Sequence, residues 1–106
     1  MISKEKIYII FDLIIKGEPI TTLTINKFGI SSTEFVELIK KDIIEEVCNN
    51  KYQIKNYDLL FEYGVSAINK KEFIRGINYL EECYKRNQEN TDIKLNLLLA
   101  YINLNK

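Results

Sequence analysis

Side chains able to do acid–base or covalent chemistry are few in this sequence. It contains no His, so the usual general base is missing, and with it every Ser–His or Cys–His pair. Two adjacent acid pairs occur, Glu45-Glu46 and Glu81-Glu82. Neighbours on a strand point to opposite faces, and neighbours on a helix diverge by about 100°. Neither pair therefore converges on one reacting atom, and both read as solvated surface. No glycine-rich phosphate loop is present. Cys48 and Cys83 stand far apart without metal-type spacing, and without His a zinc ligand set is lacking. They read as reduced thiols of a cytoplasmic protein. The expectation is a non-enzymatic chain with no cofactor, no metal and no evident small-molecule substrate.

The 106 residues include one Pro and four Gly, and 46% are hydrophobic, which fits one domain or two very small ones. Basic and acidic residues balance at 15 each. They also balance by halves, eight against eight in residues 1–55 and seven against seven in 56–106. No basic tail or face advertises nucleic acid or an anionic membrane. The apolar run from Ile7 to Ile15 is broken by Asp12 and is far shorter than the roughly 20 residues that span a bilayer. No small-x-small cleavage pattern follows it. It reads as a buried helix.

The elements that position these residues follow from caps and periodicity. Ser3 caps a helix to about Lys16, with Ile7, Ile10, Phe11 and Ile14 as a stripe that Tyr8, Ile9, Leu13 and Ile15 widen. Gly17 ends it. Pro19 forces an extended entry, and Ile20-Thr21 reads as a short strand. Thr22 is expected to cap a helix through Phe28, with Leu23, Ile25 and Phe28 inward. Gly29 makes a turn. Ser31-Ser32-Thr33-Glu34 is a capping box that opens a helix to about Lys41, burying Phe35, Leu38 and Ile39. Asp42 closes that helix. Ile43 to Val47 is a strand, Cys48 to Lys51 a turn, and Tyr52 to Ile54 a return strand.

Residues 1–55 therefore resemble a winged helix-turn-helix domain. The resemblance is carried by the apolar first helix, Phe28-Gly29-Ile30 at the turn, Ser31 to Lys41 as third helix, and the hairpin as wing. Residues 56–106 resemble a tetratricopeptide-like repeat, whose period is about 34 residues. Tyr57 to Asn90 fills one period. Leu60, Tyr63 and Gly64 stand at the family's first-helix positions, and Phe73, Gly76, Leu80 and Cys83 at its second-helix positions. Ala67 and Gln88 depart from the family pattern. Thr91 restarts the period and is expected to cap a last helix from Asp92 to about Asn103, where Lys94 and Leu98 replace the family's aromatic and Gly. The expected fold class is mainly α with a small β-hairpin wing, a winged helix-turn-helix plus one and a half tetratricopeptide-like helical repeats. Solenoids usually need three or more repeats and polar caps. Either the winged-helix half closes one end, or the chain belongs to a longer array, or a partner covers the last helix.

Two functions follow from the resemblances. The repeat implies a protein partner, self or other, docking on Phe61, Val65 and Ile68 of one helix and Leu95, Leu99 and Ile102 of the next. The winged helix implies DNA as the alternative partner, read by Thr33 and Lys40 of the third helix, with Lys41 and the wing residue Lys51 neutralising phosphates. Glu34 and Glu37 oppose that alternative. So does the absence of Arg before Arg75, which removes the bidentate contact to guanine from this half. A membrane partner is not expected. The apolar side chains of the two end helices exceed what a lone small globule is expected to hide, which favours an interaction module.

Overall fold

The computed structural model describes residues 2–105. The fold is mainly helical with one small antiparallel hairpin. The chain divides into two compact units, Met1–Asn56 and Tyr57–Lys106.

The first unit holds α1 (Lys4–Ile15), α2 (Thr22–Lys27), α3 (Ser32–Lys40), β1 (Ile44–Cys48) and β2 (Lys51–Ile54). Helix α1 starts where the Ser3 hydroxyl accepts from the Lys6 amide, and the chain leaves it through Gly17 at φ +76°. Its Ile7, Tyr8, Ile10 and Phe11 are buried, and Ile9, Leu13, Ile14 and Ile15 are half-buried. The expected excess of uncovered apolar side chains on the first helix is thus not found.

Helix α2 is capped by Thr21 rather than Thr22: the Thr21 hydroxyl accepts from the Thr24 amide at 3.2 Å. In a helix Leu23 and Ile25 lie about 200° apart, so both cannot face inward. Only Ile25 is then buried, while Leu23 is 82% exposed and Phe28 is exposed as well, contrary to the inward placement expected for both. With Thr21 committed to the cap, Ile20-Thr21 forms no strand. A single bond remains, from the Ile20 amide to the Asn50 carbonyl at 2.8 Å.

Helix α3 opens on the expected capping box. The Ser31 hydroxyl accepts from the Glu34 amide at 3.1 Å, and the Glu34 carboxylate accepts from the Ser31 amide at 2.9 Å. Phe35 and Leu38 are buried beneath it, and Ile39 is half-buried. The hairpin sets Ile44 opposite Ile54, both buried, and turns at Asn50 with φ +61°. The ring of Phe35 meets that of Tyr52 edge-on, centroids 5.1 Å apart, which seats α3 on β2.

The second unit holds α4 (Tyr57–Asn69), α5 (Phe73–Arg86) and α6 (Thr91–Leu104). Helix α5 packs on both α4 and α6. Its Ile77, Leu80 and Cys83 are buried with Leu60 and Ala67 of α4 and with Ile93, Leu97 and Ala100 of α6. Helices α4 and α5 meet at two glycines. A Cβ on Gly64 would stand 3.1 Å from the Cβ of Tyr79, and one on Gly76 would stand 3.0 Å from the carbonyl oxygen of Gly64. Helix α6 is capped by Asn90, whose side chain accepts from the Ile93 amide at 3.1 Å, not by the expected Thr91. An Asn is as good a cap as a Thr, and here it lies one position earlier.

Candidate functional site

Helix α6 has two apolar faces. Ile93, Leu97 and Ala100 recur at i, i+4 and i+7 and are buried. On the opposite side Leu95, Leu98, Leu99 and Ile102 recur at i, i+3, i+4 and i+7. These four are 53%, 56%, 54% and 49% exposed. Leu104 falls on the same side as Leu97 and Ala100, seven and four residues on, and is exposed only because it stands at the end of the helix.

The flanks of the stripe differ. At 100° per residue, Lys94 and Tyr101 share one flank, and Asp92, Asn96 and Asn103 share the other. The side-chain amides of Asn96 and Asn103 turn back on their own helix, each donating to the carbonyl four residues earlier, Asp92 and Leu99, at 2.8 Å. The Tyr101 hydroxyl donates to the carboxylate of Glu81 on α5, and that hydrogen bond raises the phenol's pKa above its ordinary value. Lys94 has no ion-pair partner among the described residues. The stripe itself carries no polar side chain, so water gains nothing from it except the exposed apolar surface.

Of the residues that the sequence marks for protein binding, the structure gathers Leu95, Leu99 and Ile102 on this face. The α4 residues go elsewhere. Phe61 lines a cleft of about 370 Å³ with Tyr57, Asp58, Cys83, Arg86 and Ile93 among its walls. There the Arg86 guanidinium stacks 4.5 Å from the Tyr57 ring centre. The Cys83 thiol donates to the Tyr57 carbonyl at 3.7 Å, and burial, then the charges of Glu82 and Asp58, push its pKa up to about 12. Val65 is half-buried. Ile68 turns into the seam with α5: a Cβ on Gly76 would stand 2.5 Å from its Cγ1. It packs that seam instead of lining an open groove. Leu98 completes the α6 face and was not among the expected site residues. Its signal was its place three residues after Leu95 and four before Ile102.

On α3 the open face consists of Ser32, Thr33, Val36, Glu37 and Lys40. The two acids of the helix are engaged. The Glu34 carboxylate takes the Ser31 amide and the Lys6 ammonium, the latter at 3.0 Å, and these hold its pKa below the usual range. Glu37 accepts from the Ile2 amide at 3.3 Å and pairs with Lys41 at 3.5 Å, and its pKa is likewise lowered, first by the Ile2 bond. Of the expected DNA-contacting cations, Lys41 is thus engaged with Glu37. Lys51 donates to the Gly17 carbonyl at 2.8 Å. Lys40 has no ion-pair partner among the described residues.

Among the described residues no group of three or more His, Cys, Asp or Glu is placed to hold a metal ion. Among the same residues, no helix is long and apolar enough to cross a membrane. Compared with protein-family models, with curated proteins and with solved structures, the chain finds no match.

Proposed function

We propose that this chain is a non-enzymatic protein-interaction module, cytoplasmic, that works through the outer face of α6. One observation carries the reading: Leu95, Leu98, Leu99 and Ile102 stand about half exposed in one unbroken stripe. Full burial of such a side chain is worth about 1.5–3 kcal/mol, so covering the four half-exposed ones would gain on the order of 3–6 kcal/mol. That is a large share of the ~5–15 kcal/mol that separates a folded domain from its unfolded chain. A surface helix with no binding duty carries polar residues on that side. The close approach of α4 and α5 at Gly64 and Gly76, with α6 starting at Thr91, 34 residues after α4 starts at Tyr57, supports a tetratricopeptide-like reading of this unit.

The test uses bis-ANS, a dye that brightens on apolar surface, with the protein held at sub-micromolar concentration. The wild type is expected to enhance its emission, and the double substitution Leu98→Asp with Leu99→Asp to lose most of the enhancement. Equal emission from both would remove α6 as the open apolar site.

A second reading has its own support. With Glu34 drawn to Lys6 and Ser31, the open face of α3 presents Ser32, Thr33, Val36 and Lys40, and its one acid, Glu37, is held by the Ile2 amide and Lys41. The order of three helices and a hairpin in Met1–Asn56 supports a winged helix-turn-helix. A DNA-binding regulator would set α3 in a groove. It would have few free cations to neutralise phosphate, which ranks it second. A gel-shift series on mixed duplex separates the two. Salt-sensitive binding weakened by Lys40→Glu supports the regulator, and no binding at low salt removes it.

A further inference from the structure

We infer that the occupant of the α6 outer face is a second copy of this chain, laid antiparallel, so that Lys94 of each copy meets Glu81 of the other; this rests on the interaction reading above. Three observations carry it.

First, the stripe suits a two-fold contact. A two-fold interface sets the same patch against itself, so a patch carrying like charges would repel its own copy. Leu95, Leu98, Leu99 and Ile102 carry none. The stripe is centred between Leu98 and Leu99, so antiparallel pairing sets Leu95 against Ile102 and, with like flanks together, Leu98 and Leu99 each beside its own counterpart.

Second, the flank is self-complementary. Lys94 and Tyr101 lie on one flank, seven residues or about 10 Å apart. Tyr101 fixes the Glu81 carboxylate beside it. Antiparallel pairing brings like flanks together with their ends exchanged. The unpaired ammonium of Lys94 then arrives at the level of Tyr101 and Glu81, twice by symmetry. A parallel pairing would leave Glu81 opposite the other flank, where α6 itself carries Asp92, Asn96 and Asn103 and no cation, and where the nearby Arg86 guanidinium is already stacked on Tyr57.

Third, the face is not shaped for a further helix of the kind that covers α4. Helix α4 receives α5 on Leu60, Gly64 and Ala67, where side chains of α5 come within 3.2 Å of the Gly64 Cβ position. The residues one 34-residue period later are Lys94, Leu98 and Tyr101. The Leu98 side chain fills the place that admits α5 at Gly64 and would hold such a helix away.

The four side chains expose on the order of 400 Å² per copy, about half of the roughly 800 Å² that each partner buries in a standard interface. The expected dimer is accordingly weak, with dissociation in the micromolar range or above.

Sedimentation velocity across about 1–500 µM tests the inference, since that range brackets a weak interface. The wild type is expected to move from monomer to dimer. Lys94→Glu and Glu81→Lys are each expected to weaken the dimer about three- to tenfold, and the two together to return it to within about threefold of wild type. Lys94→Glu sits on the open flank and removes no contact within the monomer. A double reversal no better than the single changes would overturn the antiparallel register. A wild type that stays monomeric throughout would overturn the second copy as occupant. If such a monomer still binds bis-ANS in a Leu98-dependent way, the docking face survives; if it does not, the interaction reading fails as well.

Discussion

Leu97 and Leu98 are neighbours in α6, yet Leu97 is 8% exposed and Leu98 56%. The step of about 100° between them carries the chain from the packed side of the helix to its open side. The two should therefore respond oppositely to truncation. Leu97→Ala is expected to cost about 2–4 kcal/mol by removing buried methyl groups and leaving a cavity. Leu98→Ala is expected to change monomer stability by no more than about 0.5 kcal/mol. Urea unfolding at low micromolar concentration measures both, and equal losses would show that α6 packs on both sides.

The α4–α5 seam supplies a second contrast. Alanine at Gly76 would bring a methyl to 2.5 Å from Ile68 Cγ1 and 3.0 Å from the Gly64 carbonyl, whereas alanine at Gly64 meets nothing closer than 3.1 Å. In a helix interior Gly→Ala by itself gains about 1 kcal/mol. Overpacking costs about 1–3 kcal/mol. Gly76→Ala is expected to be clearly destabilising, and Gly64→Ala near neutral. Thermal unfolding ranks the two, and a more stable Gly76→Ala would contradict the seam.

Glu34 and Glu37 both have pKa values held below their ordinary 4.5 in the folded chain. A lowered folded pKa contributes stability that is present above the unfolded value and is lost as pH falls through the folded one. Wild-type stability should therefore decline below about pH 4.5 and continue to fall through the lowered values. In Glu34→Gln with Glu37→Gln the decline should be shallower. Urea midpoints measured from neutral pH downward check this, and parallel curves would refute it.

The two thiols should separate kinetically. Cys48 is exposed at the end of β1, while Cys83 is buried with its pKa pushed up to about 12. The thiolate is the reactive form. An aromatic disulfide reagent is expected to modify Cys48 in the native protein and Cys83 only on unfolding. Cys48→Ser should abolish the fast phase, and a fast phase that survives would place Cys83 within reach of solvent.

Local rules carried most of the sequence reading. The Ser31–Glu34 box, the stop at Gly17 and the turn at Asn50 each rest on residues within four positions of one another, and they stand in the fold as expected. Errors arose where two residues satisfied the same local rule. Thr21 and Thr22 are equally good caps, Asn90 is at least as good as Thr91, and the earlier of each caps the helix. For α2, only six residues long, Leu23 and Phe28 face outward against expectation, because less than two turns of apolar pattern cannot fix a phase. For the candidate site, Leu95, Leu99 and Ile102 emerge on one face, but Phe61 and Ile68 were assigned by repeat position. The depth at which Ile68 enters the Gly76 seam is a property of the helix pair, which spacing along one helix does not contain.

The most direct measurement is an amide-resolved NMR dilution series, run from about 500 µM to about 10 µM so as to bracket a weak interface. If the outer face of α6 docks on its copy, resonances of Lys94, Leu95, Leu98, Leu99 and Ile102, and of Glu81 beside Tyr101, move together along one binding curve, while those of α1 and the hairpin stay fixed. Spectra that do not change with concentration, or changes that gather on Val36 and Val47 and spare α6, would contradict it.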